Sequence, residues 1–584
     1  MNRWNEEIGR SSGGWLIAAL ACAILAAAPA YPGLGISNSH DMTMVFLGLA
    51  GIALAIASLL SRRLSNPPSV STLAILGALL TLHVSSGLAS QYRPLALYGT
   101  PVMRFGLITV LPLLALGLLA LPFRREFGML LRQATPWVFG AWMLAAAYQA
   151  VDKRWMPWGL SSNNALTAQV LLLLLPAFLT IAGSRRVLRA LVSLAVAGYM
   201  WWVSSSIGVG LALLWAVADA LLGKHPALDL SKVLRWAPFA HLLLTLAAVT
   251  ATLLHWFPES LMGGRTRMWL LAIQVISSRP LVGVGPDAFR WASAPLLSDS
   301  TAQVLYDSPS LSVSAHSLWL DVAAVYGIVG LIIIFVSALA IARAWPGRVD
   351  APALPFVAGL LLYSVTLLVQ PVGLQTLPLL LLVLSASLAR GKDERAVQLG
   401  DEEQRHGRPL FALATIPLSL VVCAFGLTCV SVGRPEFHPA SLATTESAAR
   451  FWRYEPELWA QAGYRYGMSI GTSPNPMAAI GGMQASLERA IALVPLGYQY
   501  RIDLARASDQ LGLDSSLVRK RYDEALATFP LSAEINYDRG LFLAAQGDVS
   551  GARESYALLL RLYPDWSGTS VYQRRCESLG IQVP

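Results

Sequence analysis

Charge is scarce in this sequence. Only 13% of its 584 residues are Asp, Glu, Lys or Arg, against about a quarter in a soluble globular chain. That shortage excludes an ordinary water-soluble fold. Cysteine is scarce as well, limited to Cys22, Cys423, Cys429 and Cys576. The first three lie in apolar runs and read as small hydrophobes, while Cys576 stands alone. Neither a disulfide framework nor a zinc spacing can be built from that set. Asp287, Asp299, Asp307 and Asp321 show no Asp-x-Asp pairing of the kind that suggests a metal. They read as solvated or loop-capping. No basic run is interleaved with aromatic residues, so nucleic acid is not an expected partner.

Hydrophobic residues make up 55% of the chain. Apolar stretches of about 18 or more residues follow one another, the length a helix needs to cross a bilayer. Spans are predicted at 15–30, 42–60, 69–90, 103–122, 135–151, 165–183, 187–204, 206–223, 236–256, 317–344, 352–370, 374–390 and 409–431, thirteen in all. The first resembles a signal peptide at Ala28-Pro29-Ala30. With a dozen spans behind it, an uncleaved helix is the expectation. Placing the N-terminus inside puts twenty Lys and Arg in the inner loops. The outer loops then hold eight: Arg93, Arg104, Lys153, Arg154, Arg265, Arg267, Arg279 and Arg290. This agrees with the positive-inside rule. It assigns the 257–315 loop and the C-terminal tail to the outer side. The net charge of +9 is then a signature of topology. Four regions are expected: N-terminal spans over 1–256, a large outer loop over 257–315, C-terminal spans over 316–431 and a soluble tail over 432–584.

The tail, entered through a linker from Gly433 to Pro439, carries a repeat. Pro495, Pro530 and Pro564 are 35 and 34 residues apart and each closes a similar helix end. Gly540, Leu543, Ala552, Tyr556 and Pro564 fall at tetratricopeptide (TPR) spacing. Gly540 and Ala552 let paired helices approach closely, and each proline stops a helix. Such a module either caps the membrane region or offers a surface to a partner. The aromatic-rich stretch 436–480 suits a membrane interface or sugar stacking.

One polar stretch stands among the apolar spans, from Arg265 to Gly330. It runs Gly264-Arg265-T-R-M-Trp269, then Pro280-L-V-Gly283-V-Gly285-P-D-A-Phe289, then His316-S-L-W-L, then Gly327-I-V-Gly330. Ionisable groups beside membrane helices mark a working site. Arg265 and Trp269 share a helix face at four-residue spacing. The 265–278 segment has an apolar face of Trp269, Ile273 and Ile276 and reads as a short helix lying on the outer membrane face, ended by Pro280. Gly283 and Gly285 allow a tight turn against other backbone, and a Gly-x-Gly with no strand before it is a poor nucleotide signal. Gly327 and Gly330 let a neighbouring helix come close. Taken singly, His316 reads as an interfacial residue and Arg265 as a snorkelling one. His255 reads as interfacial, and His40, His83, His241 and His438 sit in no recognisable setting.

Together these pieces resemble the superfamily of O-antigen ligases, O-antigen polymerases and bacterial O-oligosaccharyltransferases. Arg265 precedes Pro280 by fifteen residues, and His316, Gly327 and Gly330 are spaced by eleven and three. Span number and the late outer loop agree with that superfamily. The resemblance implies an all-α, GT-C-like polytopic protein of about 12–13 spans in the bacterial inner membrane, with a periplasmic site and a periplasmic TPR-like tail. It implies transfer of a glycan from undecaprenyl diphosphate to an acceptor hydroxyl on a lipid, glycan or protein, with no metal and no cofactor. The roles carried over are His316 as proton acceptor and Arg265 as diphosphate ligand, with Arg267, Trp269, Gly283, Gly285 and Arg290 binding substrate. A cation that forms bidentate contacts suits a departing diphosphate, and a histidine suits a hydroxyl that must lose its proton. This chain departs from the pattern at three places. Ser317 stands where asparagine commonly follows the histidine, and Val325 where an acidic residue commonly stands. The stretch from Ser204 to Gly208 has Ile207 where the family carries a second arginine. Arg267, Arg290 or Lys153 are the candidates to replace it.

Ligase, polymerase and protein oligosaccharyltransferase acting on pilin-type acceptors differ in acceptor and are not separated by these motifs. A transporter of lipid-linked glycan is an alternative of another class, since twelve or thirteen spans also suit one. Transporters keep polar groups near the bilayer midplane in broken helices and repeated halves, whereas these spans are nearly free of charge and show no duplication. A membrane-anchored scaffold leaves the Arg–Pro–Gly–His spacing without a purpose.

Overall fold

The computed structural model describes residues 10–28, 39–61, 70–101, 103–151, 164–180, 185–202, 206–222, 230–254, 256, 265–304, 314–345, 353–370, 372–388, 408–433 and 440–582. Among these there are helices and turns and no strand. Each of the thirteen predicted spans falls on a helix. The spans at 103–122 and 135–151 correspond to Leu107–Ala120 and Arg124–Val151, separated by one turn of 3₁₀-helix. Five segments are long and apolar enough to cross a bilayer: His40–Leu60, Leu107–Ala145, Val233–Leu253, Leu318–Arg343 and Phe411–Val432. Seven shorter apolar helices accompany them.

Two compact units divide the chain. The first comprises Met1–Thr81, Pro101–Leu246 and Ile332–Val430. Its helices meet through small residues. A Cβ on Gly48 would lie 2.3 Å from the Cys423 sulfur, and one on Gly359 would lie 2.0 Å from the Leu173 carbonyl oxygen. Within lipid, where packing and not water drives helix association, such contacts are the means of cohesion. The unit buries one ion pair, with Arg104 Nε 2.8 Å from Asp41 Oδ1. The Arg104 guanidinium also lies 5.3 Å from the centre of the Phe425 ring. A buried charge without such partners would be far costlier.

The second unit comprises Leu82–Thr100, Ala247–Leu331 and Ser431–Pro584. Its C-terminal part is a run of paired helices. Pro476–Leu493, Ser515–Thr528 and Val549–Leu562 each end two residues before one of the repeated prolines. Tyr498–Gln510 and Ala533–Ala545 pack between them. The starts are fixed by side chains: Asn475, Asp514, Ser532 and Asp548 each accept a first-turn amide, a contact worth about 1 kcal/mol. Gly540 is where the sequence placed a close approach, and a Cβ there would strike the Tyr572 hydroxyl at 2.3 Å and Ser555 Cβ at 2.7 Å.

Candidate functional site

The site is organised around a broken helix. Leu318–Ala344 is interrupted at Gly327, whose backbone takes φ +68° and ψ −172°. A break inside an apolar span strips backbone groups of their helical partners, and lipid offers none in return. The segment from Pro280 to Gly285 supplies them. Val284 N–H donates to the Ala324 carbonyl at 2.9 Å and Gly285 N–H to that of Val325 at 3.0 Å. In the other direction, Ile328 N–H donates to the Pro280 carbonyl at 2.8 Å. Gly283 and Gly327 mark the crossing. A Cβ on Gly283 would sit 2.3 Å from the Val325 carbonyl, and one on Gly327 would sit 2.3 Å from that of Leu281.

The helix Val70–Ala89 and the turn after it complete this joint. Ser86 Oγ is 3.0 Å from both the Val282 and the Val325 carbonyl oxygens, and Ser90 Oγ donates to Val284 O at 2.6 Å. His83 Nε2 lies 3.2 Å from the Ala96 carbonyl and His83 Nδ1 lies 3.0 Å from the Tyr326 hydroxyl. A carbonyl only accepts, so Nε2 carries the proton and Nδ1 accepts from Tyr326. Asp287 accepts from the Thr100 amide at 2.7 Å.

His316 sits just before the broken helix, with φ +55°. The left-handed region costs a non-glycine residue about 1–3 kcal/mol and persists only where the surroundings enforce it. Here its N–H donates to Ser314 Oγ at 3.2 Å, and the Asp321 carboxylate accepts from the amides of Ala315 and Ser317 on either side. Arg265 opens the helix Arg265–Ser278. Burial first, and then the positive charge of Arg265, push the His316 pKa down to about 4. The structure therefore brings the two principal predicted residues into one electrostatic environment. Burial also lowers the pKa of Arg265.

The first turn of that helix holds Thr266 and Trp269, both buried. Among the described residues, Thr266 Oγ1, Trp269 Nε1 and the Ser317 hydroxyl next to His316 have no hydrogen-bond partner. Buried polar atoms are normally satisfied, so these orphans are available to an oxygen-rich ligand. Of the expected apolar face, Trp269 is buried within the protein. Thr266, Trp269, Ala272 and Val275 are covered while Ile273 and Ile276 are half-exposed. The reason is that the helix packs on the segments 294–296 and 299–304 of its own loop.

The remaining predicted residues are placed as follows. Arg267 lies half-buried in the same first turn as Arg265. Gly283 and Gly285 spend their amides on the Arg279 and Val325 carbonyls, within the joint. Arg290 is turned to the C-terminal helices: Nη2 and Nε lie 2.9 and 3.2 Å from the Tyr498 hydroxyl, and the guanidinium is 5.7 Å from that ring's centre. Asp299 pairs with Arg561 at 3.2 Å. Loop and tail are thus tied together. Ile207 lies in the helix Ser206–Leu222, while Lys153, Ser204, His255, Asp307 and His438 fall outside the described residues. Tyr498→Phe keeps the ring and removes the acceptor for Arg290. Hydrogen bonds to charged groups contribute about 1.5–3 kcal/mol, so this variant is expected to release the tail from the loop. Limited proteolysis should cut it faster than the parent, and an unchanged digestion rate would count against the tie.

Ser86, Ser90 and Tyr326 were not singled out by sequence, His83 was assigned no setting, and Asp321 was read as solvated or loop-capping. The four-residue spacing of Ser86 and Ser90 in an apolar helix was the one readable signal, since it sets two hydroxyls on one face.

Fold and site together define an all-α, multi-pass membrane protein with a cation and an imidazole at the edge of a broken span. Residues 170–335 match the family model described as O-antigen ligase, a stretch that includes Arg265, Gly283, His316, Gly327 and Gly330. That match covers less than a third of the chain and supports a glycosyltransferase-like ligase function. No curated protein and no solved structure matches the chain.

Proposed function

We propose that this protein moves a glycan from undecaprenyl diphosphate to an acceptor hydroxyl on the periplasmic face of the bacterial inner membrane, without a metal. The acceptor oxygen attacks the anomeric carbon, the bond from that carbon to the diphosphate oxygen breaks, and the lipid diphosphate leaves with the electron pair. The hydroxyl proton passes to His316. Arg265 holds the departing diphosphate, and Arg267, Trp269 and Thr266 line the same first turn. The charge asymmetry of the loops supports the outward placement. The tie between loop and tail supports a tail on the same side.

The observation that carries this reading is the family match over residues 170–335, which contains both Arg265 and His316; burial first, and then the Arg265 charge, lower the His316 pKa. A pKa of about 4 leaves the imidazole unprotonated at neutral pH, ready to accept a proton. A bound diphosphate offsets the Arg265 charge and raises the proton affinity of His316 when a base is required. The sign for activity follows. A base works only when neutral, so the rate falls as pH drops through its pKa. The acid limb of kcat/KM, which reports the free enzyme, is expected near pH 4. The limb of kcat, which reports the donor complex, is expected at higher pH. Purified protein supplied with a lipid-diphosphate glycan and assayed for donor consumption measures both. Coincident limbs, or a free-enzyme limb at the ordinary histidine value, would sink the coupling.

A transporter reading loses support at the broken helix. Transporters leave such backbone to a cargo, whereas here the Ala324 and Val325 carbonyls are engaged by Val284, Gly285 and Ser86. Mass spectrometry of the products formed when the gene is restored to a deletion strain identifies the acceptor. Extended or newly capped surface polysaccharide means ligase or polymerase, and sugar on a pilin serine means oligosaccharyltransferase.

A further inference from the structure

We propose that Asp321 is a positioning residue that acts through His316, holding the imidazole in its left-handed turn. The inference rests on the reading of His316 as the proton acceptor. Three consecutive amides around the histidine are claimed by side chains. Asp321 Oδ1 accepts from Ala315 N–H, the same carboxylate accepts from Ser317 N–H, and Ser314 Oγ accepts from His316 N–H at 3.2 Å. Asp321 is itself anchored, its own N–H donating to the Ser317 carbonyl at 2.8 Å in the first turn of the broken helix. The clasp spans the residue with φ +55° and restrains both of its peptide neighbours.

The chemistry requires an aspartate. Two N–H donors converge on its carboxyl oxygens. Asparagine of the same size replaces one of those oxygens with an amide NH2, which donates and cannot accept. Asp321 also shares a helix with the Gly327 joint. The same rigid first turn therefore fixes the histidine at one end and the backbone crossing six residues later at the other.

The test compares Asp321→Asn with the parent in steady-state transfer from a lipid-diphosphate glycan, alongside thermal unfolding in detergent. The expected result is a kcat at or below one-tenth of the parent, with donor KM within twofold and an unchanged unfolding midpoint. An unchanged kcat overturns the proposal. So does a fall in kcat accompanied by a raised KM or a lowered midpoint, which marks general damage. Should Asp321→Asn fail to fold, Ser314→Ala removes the acceptor of the His316 amide and is read by the same split of kcat from KM. His316→Ala run in parallel separates the two claims. Full activity in that variant removes the proton-acceptor reading, whereas an inactive His316→Ala beside a fully active Asp321→Asn removes the positioning role alone.

Discussion

His316→Ala is expected to transfer glycan at about one-hundredth to one ten-thousandth of the parent rate, the range over which a positioned proton acceptor contributes. Insertion and folding should survive. The residue is half-buried, and alanine lacks nothing the turn needs, because His316 is held there through its backbone N–H. Arg265→Ala is expected to lose about 10²–10³ in kcat, the scale for removing one preorganised stabiliser of developing negative charge. It should also leave a second mark. Because the Arg265 charge is one of the two causes of the low His316 pKa, its removal moves the acid limb of kcat/KM upward, toward an ordinary histidine. Arg265→Lys keeps the charge and loses the bidentate fork, so it should retain the low limb while losing rate. Burial, the larger cause, remains in the Arg265→Ala variant, so the limb should move only part of the way; an unmoved limb would show that the Arg265 charge does not act on His316.

Gly327→Ala is expected to be the most damaging small substitution in the chain. A methyl there meets the Leu281 carbonyl carbon and oxygen at 2.3 Å and Val282 N at 2.6 Å. Those are backbone atoms, with the Leu281 carbonyl already accepting from Val329 N–H at 3.4 Å, and they cannot swing aside. The φ of +68° adds strain of its own. Overpacking and left-handed strain cost about 1–3 kcal/mol each, and separation of the crossing strands its hydrogen bonds as well. Gly283→Ala strikes Val325 and Tyr326 from the other side and should behave alike. Gly140→Ala, with nothing within 4 Å of the new methyl, is the control. Expression and thermal unfolding in detergent read the difference, and a stable Gly327→Ala protein would mean that the two segments do not cross in the cell as they do here.

The fold was largely legible because lipid imposes a length: each of the thirteen apolar runs became helix. The prolines of the tail were legible for a related reason, since a residue without an N–H ends a helix wherever it falls. Arg265 and His316 stood out against their apolar surroundings. The glycines were read correctly as close-approach residues, but their partners could not be read. Gly283 and Gly327 are 44 residues apart, and no local period links them. Asp321 was read as solvated or loop-capping; it accepts from the Ala315 and Ser317 amides, an arrangement that depends on the turn taken by residues 314–317. Ser86 bridges carbonyls 196 and 239 residues away, a separation at which spacing carries no information. Of the apolar face read on Arg265–Ser278, Trp269 is buried within the protein, while Ile273 and Ile276 stay half-exposed, on the side the sequence assigned to the membrane surface.

The Pro280–Gly285 joint has a bearing on biosynthesis. A ribosome releases Val70–Ala89 first, the Pro280 stretch next and the interrupted helix last. Each receiver is thus made before the groups it must receive. Leu318–Ala344 can enter the membrane beside a waiting template, with its exposed carbonyls quenched on arrival. Reversing that order by circular permutation would present a defective span to lipid with no mate, and quality-control proteases would be its first encounter.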